Sequence, residues 1–281
     1  SHAIGVVLSG TATDGTLGLK AIKAHGGVTF AQETQTAAYD GMPQSAIDAE
    51  VVDFILAPEK IPLQLLALDS TIKIIREGKE ENKQHMLEDG FKQILSMLRI
   101  RRGVDFTYYK QATIRRRISR RIALSMKGSL PEYLIYLREN NAEQDTLFQD
   151  LLIPVTQFFR DPEVFENLSE KVFPALLKDR SSNEPLRFWI AGCSTGEEAY
   201  SIVMCLQGFL EEKALAHKIQ VFATDISDIA IAKARSGIYK KSELHGISDL
   251  RLQQYFSKTD GKFRINKSIR DSCVFAYHNF L

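Results

Sequence analysis

The chain has few cysteines, no long apolar run and no excess of either charge. Cys193, Cys205 and Cys273 stand in apolar surroundings and none belongs to a Cys-x-x-Cys pair, which excludes a disulfide framework and points to a reducing compartment. No apolar stretch approaches the roughly 20 residues that a membrane span needs, and no charged, apolar, small-residue leader opens the sequence. A cytoplasmic protein without direct membrane insertion is therefore expected. Lys and Arg total 36 against 35 Asp and Glu, a net charge of +1. No global field draws such a chain to nucleic acid or acidic lipid, so charge recognition has to come from a local cluster. His245 and His278 have no ligand-like companions, and no metal is expected. What is present is ordinary globular material, 281 residues with 44% hydrophobic and 25% charged side chains, enough for about two domains.

The apolar run Ala3–Ser9 stops at a Gly/Thr/Asp cluster and reads as a buried strand feeding a helix over 15–25. A strand at Val28–Gln32, a helix at Pro43–Ala49 and a strand at Val51–Leu56 complete about sixty residues of α/β material, too little for a doubly wound domain of its own. Residues 67–86 include the charge-rich run REGKEENKQ, the composition of a linker or exposed helix. From 87 to 153 the apolar spacing is helical throughout. A further helix is expected over 161–178, with Asp161 as N-cap and Pro162 at the first helical position. Strand and helix then alternate: LRFWIA, a GCSTG loop, a helix over 197–212, IQVFATD, a helix over 228–236, a helix near 249–256, a KTDGKF turn and a last strand, Cys273–Tyr277. That pattern predicts a parallel sheet with a glycine-rich turn after one strand and an acid ending the next.

Two constellations carry chemistry. In the first, Gly192-Cys193-Ser194-Thr195-Gly196-Glu197-Glu198 links strand to helix, where small residues let a ligand approach the backbone. It is no P-loop, since Glu197 stands where that motif needs Lys, and two acids at a helix start repel phosphate. They suit a ligand with hydroxyls and a positive charge, and Asp225 is placed to accept from ribose hydroxyls. A ribose joined to a cationic centre suggests S-adenosylmethionine. The competing reading is that Glu197, Glu198 and Asp225 merely cap their helices. Cys193 has no nearby His, and the flanking acids oppose its ionisation, so it is not read as a nucleophile. Phe158 and Phe159 read as core, while Arg160, which follows them, is positioned to reach a cleft between domains.

The second constellation, Lys110 to Arg121, holds six basic side chains and no acid, with Ile114, Ile118 and Ile122 repeating at i+4 on one face. The opposite face is expected to be a cationic surface for an acidic protein, nucleic-acid phosphates or an anionic membrane. No aromatic residue interleaves it, which disfavours single-stranded nucleic acid.

With VTQFFRD, GCSTGEEAYS, FATDI and KARSGIY in this order, the region from Phe91 to Leu281 resembles the chemotaxis-type protein-glutamate methyltransferases, which use S-adenosylmethionine to esterify glutamates of chemoreceptors. The resemblance implies an α/β fold with a helical N-terminal recognition subdomain (87–153) and a doubly wound methyltransferase domain (154–281). It also implies that Thr156 and Arg160 contact the cofactor, that Glu198 lies by its methionine end or ribose, and that Asp225 takes the ribose hydroxyls. Asn279 and Phe280 would stand near the adenine, and Arg117, Arg120 and Arg121 would meet the cytoplasmic domain of the receptor. Arg160 is further expected to orient the substrate carboxylate. The family's later strands have no match before Leu281, so an incomplete methyltransferase domain is expected.

Residues 1–66 resemble something different, the C-terminal part of the receptor methylesterase. VVLSGTATDGTLGLKAIKAHGG matches its last catalytic loop, and the resemblance implies that Asp14 is the orienting acid of a Ser-His-Asp triad. Thr11-Ala12 departs from a more usual Met-Gly pair, and the triad's serine and histidine have no match here, so esterase activity is not expected of this segment alone. A methylesterase/methyltransferase hybrid in this order is the reading. The alternatives are a nucleic-acid methyltransferase and a non-catalytic binding fragment.

Overall fold

In the computed structural model, which describes residues 3–76, 81–152, 156–178, 180–181, 184–244 and 246–279, with side chains outside 70–86, the chain opens on strand β1 (Ile4–Val7). Helix α1 (Thr16–Ala24), strand β2 (Val28–Gln32), helix α2 (Gly41–Asp48) and strand β3 (Phe54–Leu56) follow. The three strands form a parallel sheet in the order β1-β2-β3. Central β2 is buried along its whole length, as a strand covered on both faces must be. Its neighbour β1 lies at the edge, and Ile4 and Val6 are exposed, so the apolar run there is not the fully buried strand that its composition predicts. On one face Val7 packs with Leu19, Ala46 and Val51.

On the other face, Val28 and Phe30 pack with Ile61 and Leu68 of helix α3 (Ile61–Arg76) and with Ala123 of a later helix, in one cluster. Helix α4 (Glu81–Arg102) follows, so all of the described part of 67–86 is helical. Then come α5 (Gln111–Leu124), α6 (Leu130–Glu139) and α7 (Asn141–Leu151). The last two begin where short polar side chains cap them: Ser129 Oγ accepts from the Glu132 N–H and Asn140 Oδ1 from the Glu143 N–H. Ile114, Ile118 and Ile122 of α5 are buried, as their spacing predicts. Everything up to here is one compact unit, divided from the next near Ile153.

The second unit begins with a helical run, α8 (Pro162–Asn167), a π turn (Leu168–Val172) and α9 (Phe173–Leu177). Asp161 occupies the N-cap position in a left-handed conformation and makes no side-chain cap bond, so the capping expected of it is not realised. Next are β4 (Leu186–Ala191), α10 (Glu197–Glu212), β5 (Ile219–Asp225) and α11 (Asp228–Ser236). They are followed by β6 (Ile238–Tyr239), α12 (Asp249–Tyr255), β7 (Phe256–Thr259), β8 (Lys262–Ile265), α13 (Lys267–Asp271) and β9 (Cys273–Tyr277). Strands β4, β5 and β9 form a parallel sheet in that order. The KTDGKF segment is not a lone turn: it joins β7 to β8 in a small antiparallel sheet ordered β6-β8-β7.

The core of this unit joins Tyr200, Val203, Met204 and Leu206 of α10 to Val221, Ala223 and Phe275 of the parallel sheet. Helix α10 enters closely packed at Gly196, where φ is +96° and a Cβ would stand 2.9 Å from Ala234 Cβ. Only glycine meets both demands cheaply. Among the described residues, no helix is long and apolar enough to cross a membrane.

Candidate active site

The site lies at the C-terminal tips of β4 and β5, where parallel α/β sheets hold ligands because successive strand-to-helix loops diverge there. After β4 the backbone turns through positive φ at Gly192 (+72°), Ser194 (+50°) and Gly196 (+96°). The left-handed Ser194 is held by Asp225: its N–H donates to Asp225 Oδ2 at 2.7 Å, while Asp225 Oδ1 accepts from the Ser227 N–H at 2.9 Å. Asp225 therefore ties both loops, but it does not cap the helix that follows, contrary to the capping reading: the N-cap of α11 is Ser227, whose Oγ accepts from the Ala230 N–H. A carboxylate has about four acceptor positions, so this half-buried side chain keeps capacity for ligand hydroxyls.

The two glutamates have opposite environments. Glu197 is 4% exposed, accepts from Thr195 Oγ1 at 2.6 and 2.8 Å to its two oxygens, and burial pushes its carboxyl above the ordinary value. Tyr239 Oη donates to the Thr195 carbonyl at 2.7 Å, which fixes the loop from below. Glu198, one residue on, is exposed and lines a pocket of about 340 Å³. That volume falls within the range of small-molecule sites.

Thr156, Arg160, Gly192 and Ser194 share that wall with Glu198, and Val164, Leu168 and Ile202 supply its apolar part. Three residues singled out in the sequence, Thr156, Arg160 and Glu198, are thus brought together. Arg160 sits between two left-handed residues, Phe159 (φ 49°) and Asp161 (φ 57°), and its Nε lies 3.9 Å from Asp161 Oδ2. The turn is anchored where Phe158 and Phe159 are buried, where the Phe159 N–H donates to Ser201 Oγ at 3.0 Å, and where the Arg251 guanidinium lies 3.9 Å from the Phe159 ring centroid. Both phenylalanines are core, as read from the sequence.

Ser194 is the residue that sequence reasoning missed. Its Oγ is buried with no hydrogen-bond partner, and a lone serine in a glycine-rich loop gives no sign of that. A guanidinium (Arg160), a carboxylate (Glu198) and a threonine (Thr156) around one cavity, with Asp225 tied to its wall, fit the carboxylate, ammonium and ribose hydroxyls of S-adenosylmethionine. Asn279 lies just past β9, where the His278 N–H donates to the Asp225 carbonyl at 3.0 Å; it is not among the pocket-lining residues. Phe280 lies outside the described residues. Asp14 is in the first unit, in an exposed turn between β1 and α1.

Burial, then the neighbouring Asp225 charge, pushes the Cys193 thiol up to about 12. We expect Cys193 to resist iodoacetamide at pH 8 in the folded chain and to react only after unfolding; rapid labelling in the native state, read by mass spectrometry, would contradict this.

The expected cationic face of α5 is not displayed. Arg117 and Arg120 are each 4% exposed. Arg117 Nη2 donates to the Ala24 carbonyl at 2.6 Å, and Arg120 donates to the Gly27 carbonyl at 3.0 Å and to Asp150 at 2.9 Å and pairs with Asp53. Arg121 forms a two-point bond to Glu143, whose Oε1 also accepts from Tyr133 Oη at 2.8 Å. These charges face inward because the preceding α/β segment supplies acceptors to Arg117 and Arg120 and α7 supplies Glu143 and Asp150 to Arg121 and Arg120.

A parallel sheet with a glycine-rich turn after one strand, an acid ending the next and a pocket at their tips is an architecture that binds ribose-bearing ligands, and the sequence comparisons narrow it to the S-adenosylmethionine-binding methyltransferases. Residues 154–281 match the family described as CheR methyltransferase, SAM binding domain, residues 89–152 the CheR methyltransferase all-alpha domain, and residues 1–65 the CheB methylesterase. The chain is 31% identical to the putative methyltransferase Cher3 of Pseudomonas putida over 66% of its own length and 68% of that protein. It is 26% identical to a chemotaxis protein methyltransferase of Borreliella burgdorferi over 70% of its length and 71% of that protein. Across its whole length it is 34% identical to an uncharacterized 104.1 kDa protein of Rhodobacter capsulatus, of which it spans 32%. The chain belongs to the CheR methyltransferase family, with a piece of a CheB methylesterase ahead of it.

Proposed function

We propose that this chain transfers a methyl group from S-adenosylmethionine to glutamate side chains in the cytoplasmic domain of a chemoreceptor. The carrying observation is the convergence of Thr156, Arg160 and Glu198 on one pocket whose Ser194 wall is tied to Asp225. When bound, S-adenosylmethionine supplies an electrophilic methyl group on a sulfonium centre. The protein's own task is to hold and align. Asp225 accepts from the ribose hydroxyls, Glu198 and Thr156 hold the polar end of the ligand, and Asn279, just past β9, is the residue assigned to the adenine. Arg160 orients the incoming carboxylate or the amino-acid carboxylate beside it.

A receptor glutamate is already ionised near neutral pH, so no general base is needed. Positioning and exclusion of water by Val164, Leu168 and Ile202 are what remain, and alignment alone can supply about 7–11 kcal/mol. Too strong a grip by Arg160 on the ground state would slow transfer. In the division of labour proposed here, residues 1–66 are the esterase segment, with Asp14 as its orienting acid, and 67–86 connect it to recognition helices at 87–153. The methyltransferase domain is 154–281, and Arg117, Arg120 and Arg121 are receptor contacts once they give up the partners they hold within the first unit.

The test is transfer from methyl-tritiated S-adenosylmethionine to a receptor cytoplasmic fragment. A glutamyl methyl ester releases its label as volatile methanol in alkali, which is the expected result. Label that stays bound in alkali, or transfer instead to RNA or DNA, would overturn the proposal.

A further inference from the structure

Resting on that reading of α5 as the receptor-recognition helix, we infer that the preceding α/β segment is an intramolecular competitor for the same guanidinium groups, so that α5 engages an acidic helical partner only when the segment lets go. The contact has the chemistry of a substitute ligand. Ala24 ends α1, and its carbonyl is one of those a helix leaves unpaired at its negative end; Arg117 Nη2 donates to it at 2.6 Å. Arg120 reaches the Gly27 carbonyl three residues on and pairs with Asp53, the residue just before β3. Asp53 is itself held in place, accepting from the Thr29 N–H and Oγ1 at 3.0 Å each and pairing with Lys23 at 3.3 Å. Helix end, turn and carboxylate therefore present to α5 what a glutamate-bearing helix would present.

The fit is also unfinished. A guanidinium carries five N–H donors, and Arg117 Nη1 and Arg116 Nε are buried with no partner. Leaving charged donors unsatisfied is costly, and a carboxylate-rich helix would satisfy more of them than backbone carbonyls do. The segment therefore covers Arg116 and Arg117 without saturating them, and an acidic partner that satisfied those donors would offset part of the cost of displacing it. When only a fraction of molecules has α5 open, apparent partner affinity falls by that fraction.

The test uses the full chain, wild type and Asp53→Ala, with a fluorescently labelled glutamate-rich helical peptide read by anisotropy at low salt. Asp53→Ala should bind about tenfold or more tightly than wild type; equal or weaker binding by the folded variant overturns the inference. Circular dichroism reports folding. If the variant does not fold, hydrogen exchange of the wild-type chain decides: saturation with the peptide should speed exchange at the Thr29 and Asp53 amides, which are hydrogen bonded across the segment's own strands. Unchanged protection there overturns the inference. Preferential binding of an RNA of similar charge by the variant overturns the choice of partner.

Calorimetry with S-adenosylhomocysteine on both proteins separates the two claims. Normal uptake with unchanged peptide affinity defeats the competition and leaves the methyltransferase reading standing. Tightened peptide binding without uptake supports the competition and defeats the methyltransferase reading.

Discussion

Arg120→Ala should lower the stability of the first unit by about 3–5 kcal/mol, the usual cost of breaking a buried ion pair by removing one partner. The Arg120 side chain is 2% exposed and its partners Asp53 and Asp150 are 6% and 20% exposed, so water cannot replace what is lost. At about 2–4 °C per kcal/mol for a unit of this size, the melting temperature should fall by roughly 6–20 °C. Arg115→Ala is the control: its pair with Glu88 spans 3.2 Å with both side chains more than two-fifths exposed, and exposed pairs contribute about 0–1 kcal/mol. The double variant Arg120→Ala/Asp53→Ala should lose less than the sum of the two single variants, because each leaves the other's charge stranded. Equal melting temperatures for Arg120→Ala and Arg115→Ala would show that α5 is not clamped in this way.

Asp225→Ala should weaken S-adenosylhomocysteine binding by roughly 10- to 150-fold, the range given by about 1.5–3 kcal/mol for hydrogen bonds to a charged group. The loss has two sources. One is the acceptor proposed for the ribose hydroxyls. The other is the geometry of the loop, since Ser194 holds φ +50° while its N–H is tied to Asp225 at 2.7 Å, and without that bond the pocket wall loses its shape. Asp225→Asn keeps an acceptor but can keep only one oxygen for two N–H donors, so an intermediate loss is expected. Calorimetric affinities for the three proteins check the order; a wild-type affinity in Asp225→Ala would remove Asp225 from the site.

The strands and helices of the second unit are legible in the sequence where their signals are strong and local. The helix Glu197–Glu212, the strand Ile219–Asp225 and the helix Asp228–Ser236 stand where the apolar periods and the Gly and Asp boundaries put them. The small antiparallel sheet was not legible, because β6 is two residues long and pairs with residues well beyond the intervening α12.

The pocket was half legible. Glu198 and Arg160 carry charge in a recognisable pattern, whereas Ser194 shapes the wall through a left-handed backbone angle held by Asp225, which no spacing encodes. Helix α5 shows the opposite failure. Its i+4 isoleucines correctly mark one buried face, but burial of Arg117 and Arg120 depends on Ala24, Gly27 and Asp53, which lie 93, 93 and 67 residues away in the chain. Amphipathic patterning assigns charged residues to solvent by default, and only tertiary partners overrule it.

Titration calorimetry of S-adenosylhomocysteine into the chain tests the central claim most directly. The account predicts saturable binding at one site per chain, weakened in both Arg160→Ala and Asp225→Ala. Absence of heat from a folded chain, or an affinity that neither substitution alters, would contradict it.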